Sequence, residues 1–200
     1  SGFSKCALHC PEDKVESNKI SEYFESFIKL FINNIRDQIT TKVWESESKE
    51  SIAKFYDFFG VGLIERISEP VIDTIQSIDL IFEEIYFPSN IIHGSFEFQV
   101  LKYINSIKYI NCTFNTKYLI AQRSYFIECD FLKDVNLYPF LGVENSEIYH
   151  YIKCNFQSKV CFQPSIFLGE VNYNVFKNCF FESELIVDSL NFKKNLFYFP

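Results

Sequence analysis

The chain has no methionine, a single tryptophan, and only six glycines and six prolines among its 200 residues. Without methionine it shows no natural start, and the opening Ser1-Gly2 reads as a processed end or a cloning scar. So little glycine and proline excludes collagen-like and low-complexity architectures. No apolar run approaches the roughly 18 residues of a membrane-spanning helix, and no signal-peptide pattern opens the chain. An excess of basic residues is also missing. The net charge is -7, which argues against nucleic acid as a partner. Nor is there a G-x-S-x-G, P-loop, G-x-G-x-x-G or H-E-x-x-H pattern to carry a familiar chemistry.

What is present is a core. The composition is 48% hydrophobic and 22% charged, that of a globular chain, and it includes 24 Phe and 12 Tyr. Seven cysteines is an odd number. Scattered through a chain of this length, they read as reduced, buried thiols rather than a disulfide framework. The expected compartment is therefore cytoplasmic.

Two halves differ in grammar. Residues 1–94 carry 16 acidic and 9 basic residues, whereas 95–200 carry 10 of each. The apolar period changes near residue 90, which places a boundary at 94/95. The first half, 1–94, reads as helical. Ile20, Phe24, Phe27, Phe31 and Ile35, flanked by Ile28 and Ile39, form one stripe on a long helix over about 18–42. Ser17 and Asn18 are its candidate caps. A second helix is expected over Ser48–Phe59 and a third segment after Pro70, followed by an extended run through Ile85-Tyr86-Phe87 to Pro88. Cys6, Leu8 and Cys10 alternate as a strand face, so a first strand is expected at about 5–10.

The second half, 95–200, repeats one unit four times: Cys112-Thr-Phe114, Cys129-Asp-Phe131, Cys154-Asn-Phe156 and Cys179-Phe-Phe181. A polar residue precedes each copy: Asn111, Glu128, Lys153 and Asn178. Steps of five run through the same region, as in Ile104, Tyr109, Phe114 and Leu119. In extended chain, residues two apart face the same way, so Cys and Phe both point inward. Four five-residue steps make a coil of about 20 residues. Stacked coils pair like parallel strands about 4.8 Å apart, each burying the apolar face of the last. The longer intervals imply loops at Val135–His150 and Gly169–Val175.

These Cys-x-Phe steps resemble the pentapeptide-repeat family. The resemblance implies a mainly β fold, a right-handed parallel β-helix carrying an α-helical N-terminal segment. The opening Cys6-Ala-Leu-His-Cys10, with Ile81-Phe-Glu-Glu-Ile-Tyr-Phe-Pro88 after a helical stretch, resembles a bacterial subgroup in which such a strand and a helical insertion precede the coils. The family shares no enzymatic activity. It implies a scaffold or interaction module for a protein partner. Its alternatives are a DNA mimic that binds topoisomerases, and the substrate-binding arm of a larger bacterial effector such as a ubiquitin ligase, which the resemblance would place in a host cell. A mimic needs a row of acidic residues along the rod, and the second half is neutral.

Other candidate chemistry reads as structure. Cys6, His9 and Cys10 are zinc-ligand types, but no second pair completes four ligands, and His93 and His150 stand alone. No metal or cofactor is expected, and no enzymatic activity. Asp79, Glu83 and Glu84 read as a solvated face rather than a glycosidase pair. Asn111-Cys-Thr113 fits the glycosylation pattern, with its Cys expected inward. The chain closes on Leu196, Phe197, Tyr198 and Phe199, an apolar end expected to fold across the last coil as a lid, to be covered by a continuation of the chain, or to meet a second copy in a homodimer, the option that the family resemblance implies.

Overall fold

A computed structural model describes residues 6–46, 76–89, 104–116, 123–137, 148–162 and 173–187. Within them lie one long α-helix, three short 3-10 turns and thirteen strands. The expected helix over Ser48–Phe59, the segment after Pro70 as far as residue 75, and the closing Leu196, Phe197 and Phe199 lie outside the described residues.

Helix α1 spans Ile20–Ser46, 27 residues. Its buried line is Tyr23, Phe27, Phe31, Ile35 and Ile39. Steps of four keep these side chains on one slowly turning face. Ile20, Phe24 and Ile28 flank the line, partly buried. The sequence stripe put Phe24 in the line ahead of Phe27; the structure puts Tyr23 there, its Oη donating to the Cys10 carbonyl at 2.7 Å. A 3-10 turn at Ser17–Lys19 leads into the helix, and its preceding residue, Glu16, makes no side-chain cap bond.

Of the strand expected at about 5–10, the described residues 6–10 are not a strand. Ala7–His9 form a 3-10 turn, burying Ala7, Leu8 and Cys10 and leaving Cys6 exposed. At three residues per turn, Ala7 and Cys10 share a face, a pattern that alternation does not anticipate.

The strands are β1 (Asp79–Glu83), β2 (Tyr86–Phe87), β3 (Ser106–Ile110), β4 (Thr113–Phe114), β5 (Ser124–Ile127), β6 (Asp130–Phe131), β7 (Val135–Leu137), β8 (Ile148–Ile152), β9 (Asn155–Phe156), β10 (Val160–Phe162), β11 (Tyr173–Lys177), β12 (Phe180–Phe181) and β13 (Leu185–Val187). They form three sheets, ordered β1-β3-β5-β8-β11, β2-β4-β6-β9-β12 and β7-β10-β13. Every pairing is parallel. The chain visits the sheets in rotation, so β8, β9 and β10 make one layer and β11, β12 and β13 the next. The fold is mainly β, with parallel sheets behind one N-terminal helix.

Two expectations shift. Among the described residues the layers begin at Asp79, because β1 and β2 pair with β3 and β4, on the N-terminal side of the division expected at 94/95. The signal is Ile85-Tyr86-Phe87, a copy of the repeat in which Ile replaces Cys. The loop expected over Val135–His150 opens on β7 and closes in β8, and that expected over Gly169–Val175 runs into β11.

A sharp bend separates the first two strands of each layer. Glu84, Asn111, Glu128, Lys153 and Asn178 occupy it with φ of 52–56°, the left-handed region. Each is the polar residue ahead of the inward Ile or Cys. Asn tolerates this backbone, while Glu and Lys pay roughly 1 kcal/mol for it. The bend is held by bonds between layers: the N–H of Asn111, Glu128 and Lys153 donate to Ile127, Ile152 and Lys177 carbonyls at 2.8–2.9 Å.

Candidate interaction surface

Three columns of the described interior run through the layers, beside the buried row of Leu80, Ile107, Ser124 and Tyr149 and the buried Val135 and Val160. Tyr109, Phe126, Tyr151 and Phe176 stack ring on ring, with Phe82 tilted by 31° against Tyr109 at the head of the column and successive centroids 4.8–5.5 Å apart. Phe87, Phe114, Phe131, Phe156 and Phe181 form the second column, at 4.6–5.0 Å and within 9° of parallel. The two columns meet edge to face, as at Tyr109–Phe114 (5.3 Å, 79°). Offset stacks and T-contacts of this kind are each worth about 0.5–1.5 kcal/mol beyond area burial.

The third column is Cys112, Cys129, Cys154 and Cys179. Each thiol donates to a carbonyl of the preceding layer: to Phe82, Tyr109, Phe126 and Tyr151 at 3.2–3.4 Å. Cys112, Cys129 and Cys154 are buried, as are Phe114, Phe131 and Phe156, while Cys179 and Phe181 in the last layer are half-buried. The thiols of Cys112 and Cys154 beside it, together with burial, push the Cys129 thiol well above the ordinary range. Cys179 is pushed up in the same way, first by the thiol of Cys154 and then by burial. All the described cysteines are free thiols. A small residue with a weak donor fits beside a ring column that leaves little width.

Tyr109 and Tyr151 carry hydroxyls into this interior. Burial raises both above the usual phenol range, with the neighbouring thiols adding to it. The Tyr151 hydroxyl meets no hydrogen-bond partner among the described residues.

The outside carries ladders of a different kind. On the β1-β3-β5-β8-β11 sheet, register aligns Ile81, Lys108, Tyr125, His150 and Val175 in one row, and Glu83, Ile110, Ile127, Ile152 and Lys177 in the next. Tyr125 and His150 stack at 4.7 Å and 4°. Burial lowers the His150 pKa, so the neutral ring is favoured there. Ile110, Ile127 and Ile152 are half-buried. The second sheet turns out Thr113, Asp130, Asn155 and Phe180, the last 64% exposed. Charges alternate along the corners. Lys153 meets Glu128 at 2.8 Å, and Lys159 approaches Glu184 at 3.9 Å. Both pairs are exposed and contribute little to stability.

The other sequence candidates do not assemble into a reacting centre. His9 is exposed while Cys10 is buried under Tyr23. Among the described residues no group of three or more His, Cys, Asp or Glu is placed to hold a metal. Asp79 accepts from Asn105 Nδ2 (2.9 Å) and Ser106 Oγ (2.6 Å), a link between the first two layers. No described helix is long and apolar enough to cross a membrane. Sequence reasoning missed the surface pair Tyr125–His150, since 25 residues separate them and only the strand register brings them together. Comparison with family models, curated proteins and solved structures finds no match.

Proposed function

We propose that the described layers are coils of a right-handed β-helix of the pentapeptide-repeat kind, and that the chain is a non-catalytic interaction scaffold for a protein partner. The observation carrying this is the division of labour between inside and outside. The repeated thiols and rings all go into stacked interior columns, leaving flat outer ladders as the surface a partner can read. Three features support the coil reading: strict rotation among the sheets, the left-handed residue at one position of every layer, and the right-handed rule for parallel crossovers. The mixed apolar and aromatic face around Tyr125, His150 and Ile127 suits a protein partner, where aromatic side chains anchor binding. Alternation of Lys153 with Glu128 and of Lys159 with Glu184 weighs against a DNA mimic, which needs an unbroken acidic row.

Photo-crosslinking groups placed at Ile127 and Thr113 test this in the source cell. The scaffold reading expects one protein captured from one outer face. When purified, that protein should bind the wild-type chain saturably and lose at least tenfold in affinity to Tyr125→Glu or Asn155→Arg, depending on the face. No capture from either face, or turnover of a small molecule by the purified chain, contradicts it.

A further inference from the structure

The outer face of the β1-β3-β5-β8-β11 sheet carries charge that this chain does not balance. Beyond the first layer its described residues include three cations and no acid. Lys108 follows Ile81 in one row, Lys177 ends the next, and Arg123 stands exposed just ahead of β5. None of the three makes an ion pair among the described residues. Acids outnumber bases in the chain, 26 to 19, yet none is brought to them. Glu128, at the nearest corner, is engaged by Lys153 at 2.8 Å.

Between these cations lies an apolar strip. Ile110, Ile127 and Ile152 form a half-buried ladder, and Tyr125 lies flat against His150 in the row beside it. The helix α1 bounds the face at the first layer. There Gln38 Nε2 donates to the Ile81 carbonyl (2.6 Å) and its Oε1 accepts from the Ile81 N–H (2.8 Å).

Two properties of the face restrict what fits it. First, β3, β5 and β8 are paired on both sides, so their backbone groups are engaged within the sheet. A partner laid on the face must satisfy its own backbone, which a helix does and a lone extended segment does not. Second, the ladder repeats about every 4.8 Å and a helical turn rises about 5.4 Å, so a helix along the stack drifts by only roughly 2 Å over three layers. An extended chain repeats a side about every 6.6 Å and drifts by more than a layer over three such steps. An i, i+3, i+4 stripe therefore keeps step with the ladder, and acids beside it reach the cations.

We propose, building on the scaffold reading above, that this face seats an amphipathic helix of the partner protein, an apolar stripe flanked by carboxylates. Lys108 and Arg123 set the sign of the flanks, while Tyr125, Ile127 and Ile152 take the stripe.

Synthetic peptides and the full chain test this. Two helical peptides share one leucine stripe, flanked by Glu in one and by Lys in the other; a third alternates Leu and Glu as a strand. Fluorescence anisotropy should give the Glu-flanked helix at least a tenfold lower Kd than either of the others. Lys108→Glu with Arg123→Glu should weaken it about tenfold and turn the preference toward the Lys-flanked helix. A photo-crosslinking group at Ile127 should label the Glu-flanked helix, and one at Thr113 on the second sheet should not. Equal affinity for the two helices, equal affinity for helix and strand, or labelling through Thr113 alone would overturn the inference. So would a cross-link from Ile127 to another segment of the same chain, since the face would then be filled already. A source-cell protein captured only through Thr113 sinks this inference and leaves the scaffold reading standing. Capture from neither face sinks the scaffold reading, and the assignment of a partner helix with it, even where the peptides bind.

Discussion

Replacing Tyr151 with Phe should stabilise the protein. The ring sits between Phe126 (4.9 Å, 6°) and Phe176 (4.8 Å, 7°), so Phe is already the residue the column uses on both sides. Tyr151 is fully buried, and its hydroxyl has no partner among the described residues. A hydroxyl stripped of water without a replacement bond costs about 1–3 kcal/mol. Removing the oxygen keeps both stacking contacts and leaves a gap of roughly 10–15 Å3, which costs only about 0.3 kcal/mol. The net expectation is a gain of about 1–2 kcal/mol, or roughly 2–8 °C in melting midpoint for a chain of this size. Urea titration and a thermal melt followed by circular dichroism measure it. A loss of stability would refute the reasoning, because it would show that the hydroxyl is bonded in the native state.

Four further outcomes follow from the same geometry. Cys154→Leu should destabilise by about 1–3 kcal/mol, since the column has no room for a larger side chain, and Cys154→Ala should cost less; urea titration of both gives the order. A thiol reagent should modify half-buried Cys179 before Cys112, Cys129 or Cys154, which mass spectrometry of partly labelled native protein resolves. Lys153→Val should cost about 1–2 kcal/mol because a β-branched residue resists φ of 55°, whereas Lys153→Gly should be near neutral. His150 has a lowered folded pKa, so its unfolded form binds the proton more tightly. The stability tied to its neutral ring is present above the unfolded value near 6.5 and is lost as pH falls through that region. His150→Phe should flatten the stability profile between about pH 5 and 7, and an unchanged slope would count against the buried neutral ring.

The repeat was legible because it rests on local chemistry. Cys-x-Phe announces two inward side chains in extended chain, and the polar residue ahead of each copy marks the bend that the structure places in the left-handed region. Reading outward from cysteine concealed the first layer, where Ile85 fills the thiol position with greater bulk. The helix stripe was legible at Phe27, Phe31 and Ile35. Its N-terminal end turned from Phe24 to Tyr23 because that hydroxyl finds the Cys10 carbonyl, a contact between distant segments that no periodicity encodes. The turn at Ala7–His9 escaped for a related reason: the alternation of Cys6, Leu8 and Cys10 suits a strand, and the turn's period of three shows only once Tyr23 is placed against Cys10. The outer face was the least legible part. Tyr125, His150, Gln38 and Ile81 are ordinary surface residues in sequence, and only register and docking give them neighbours.

The layered stack is the claim on which the rest depends, and one distance tests it most directly. Glu83 and Lys177 are 94 positions apart in the chain, yet the register sets them in one outer row, four layers apart. At about 4.8 Å per layer their backbones lie roughly 19 Å apart. Spin labels attached at these two positions through bio-orthogonal side chains, read by double electron–electron resonance, should give a single narrow distribution near that value plus the label lengths. A broad distribution, or one centred beyond about twice that distance, would contradict the stack.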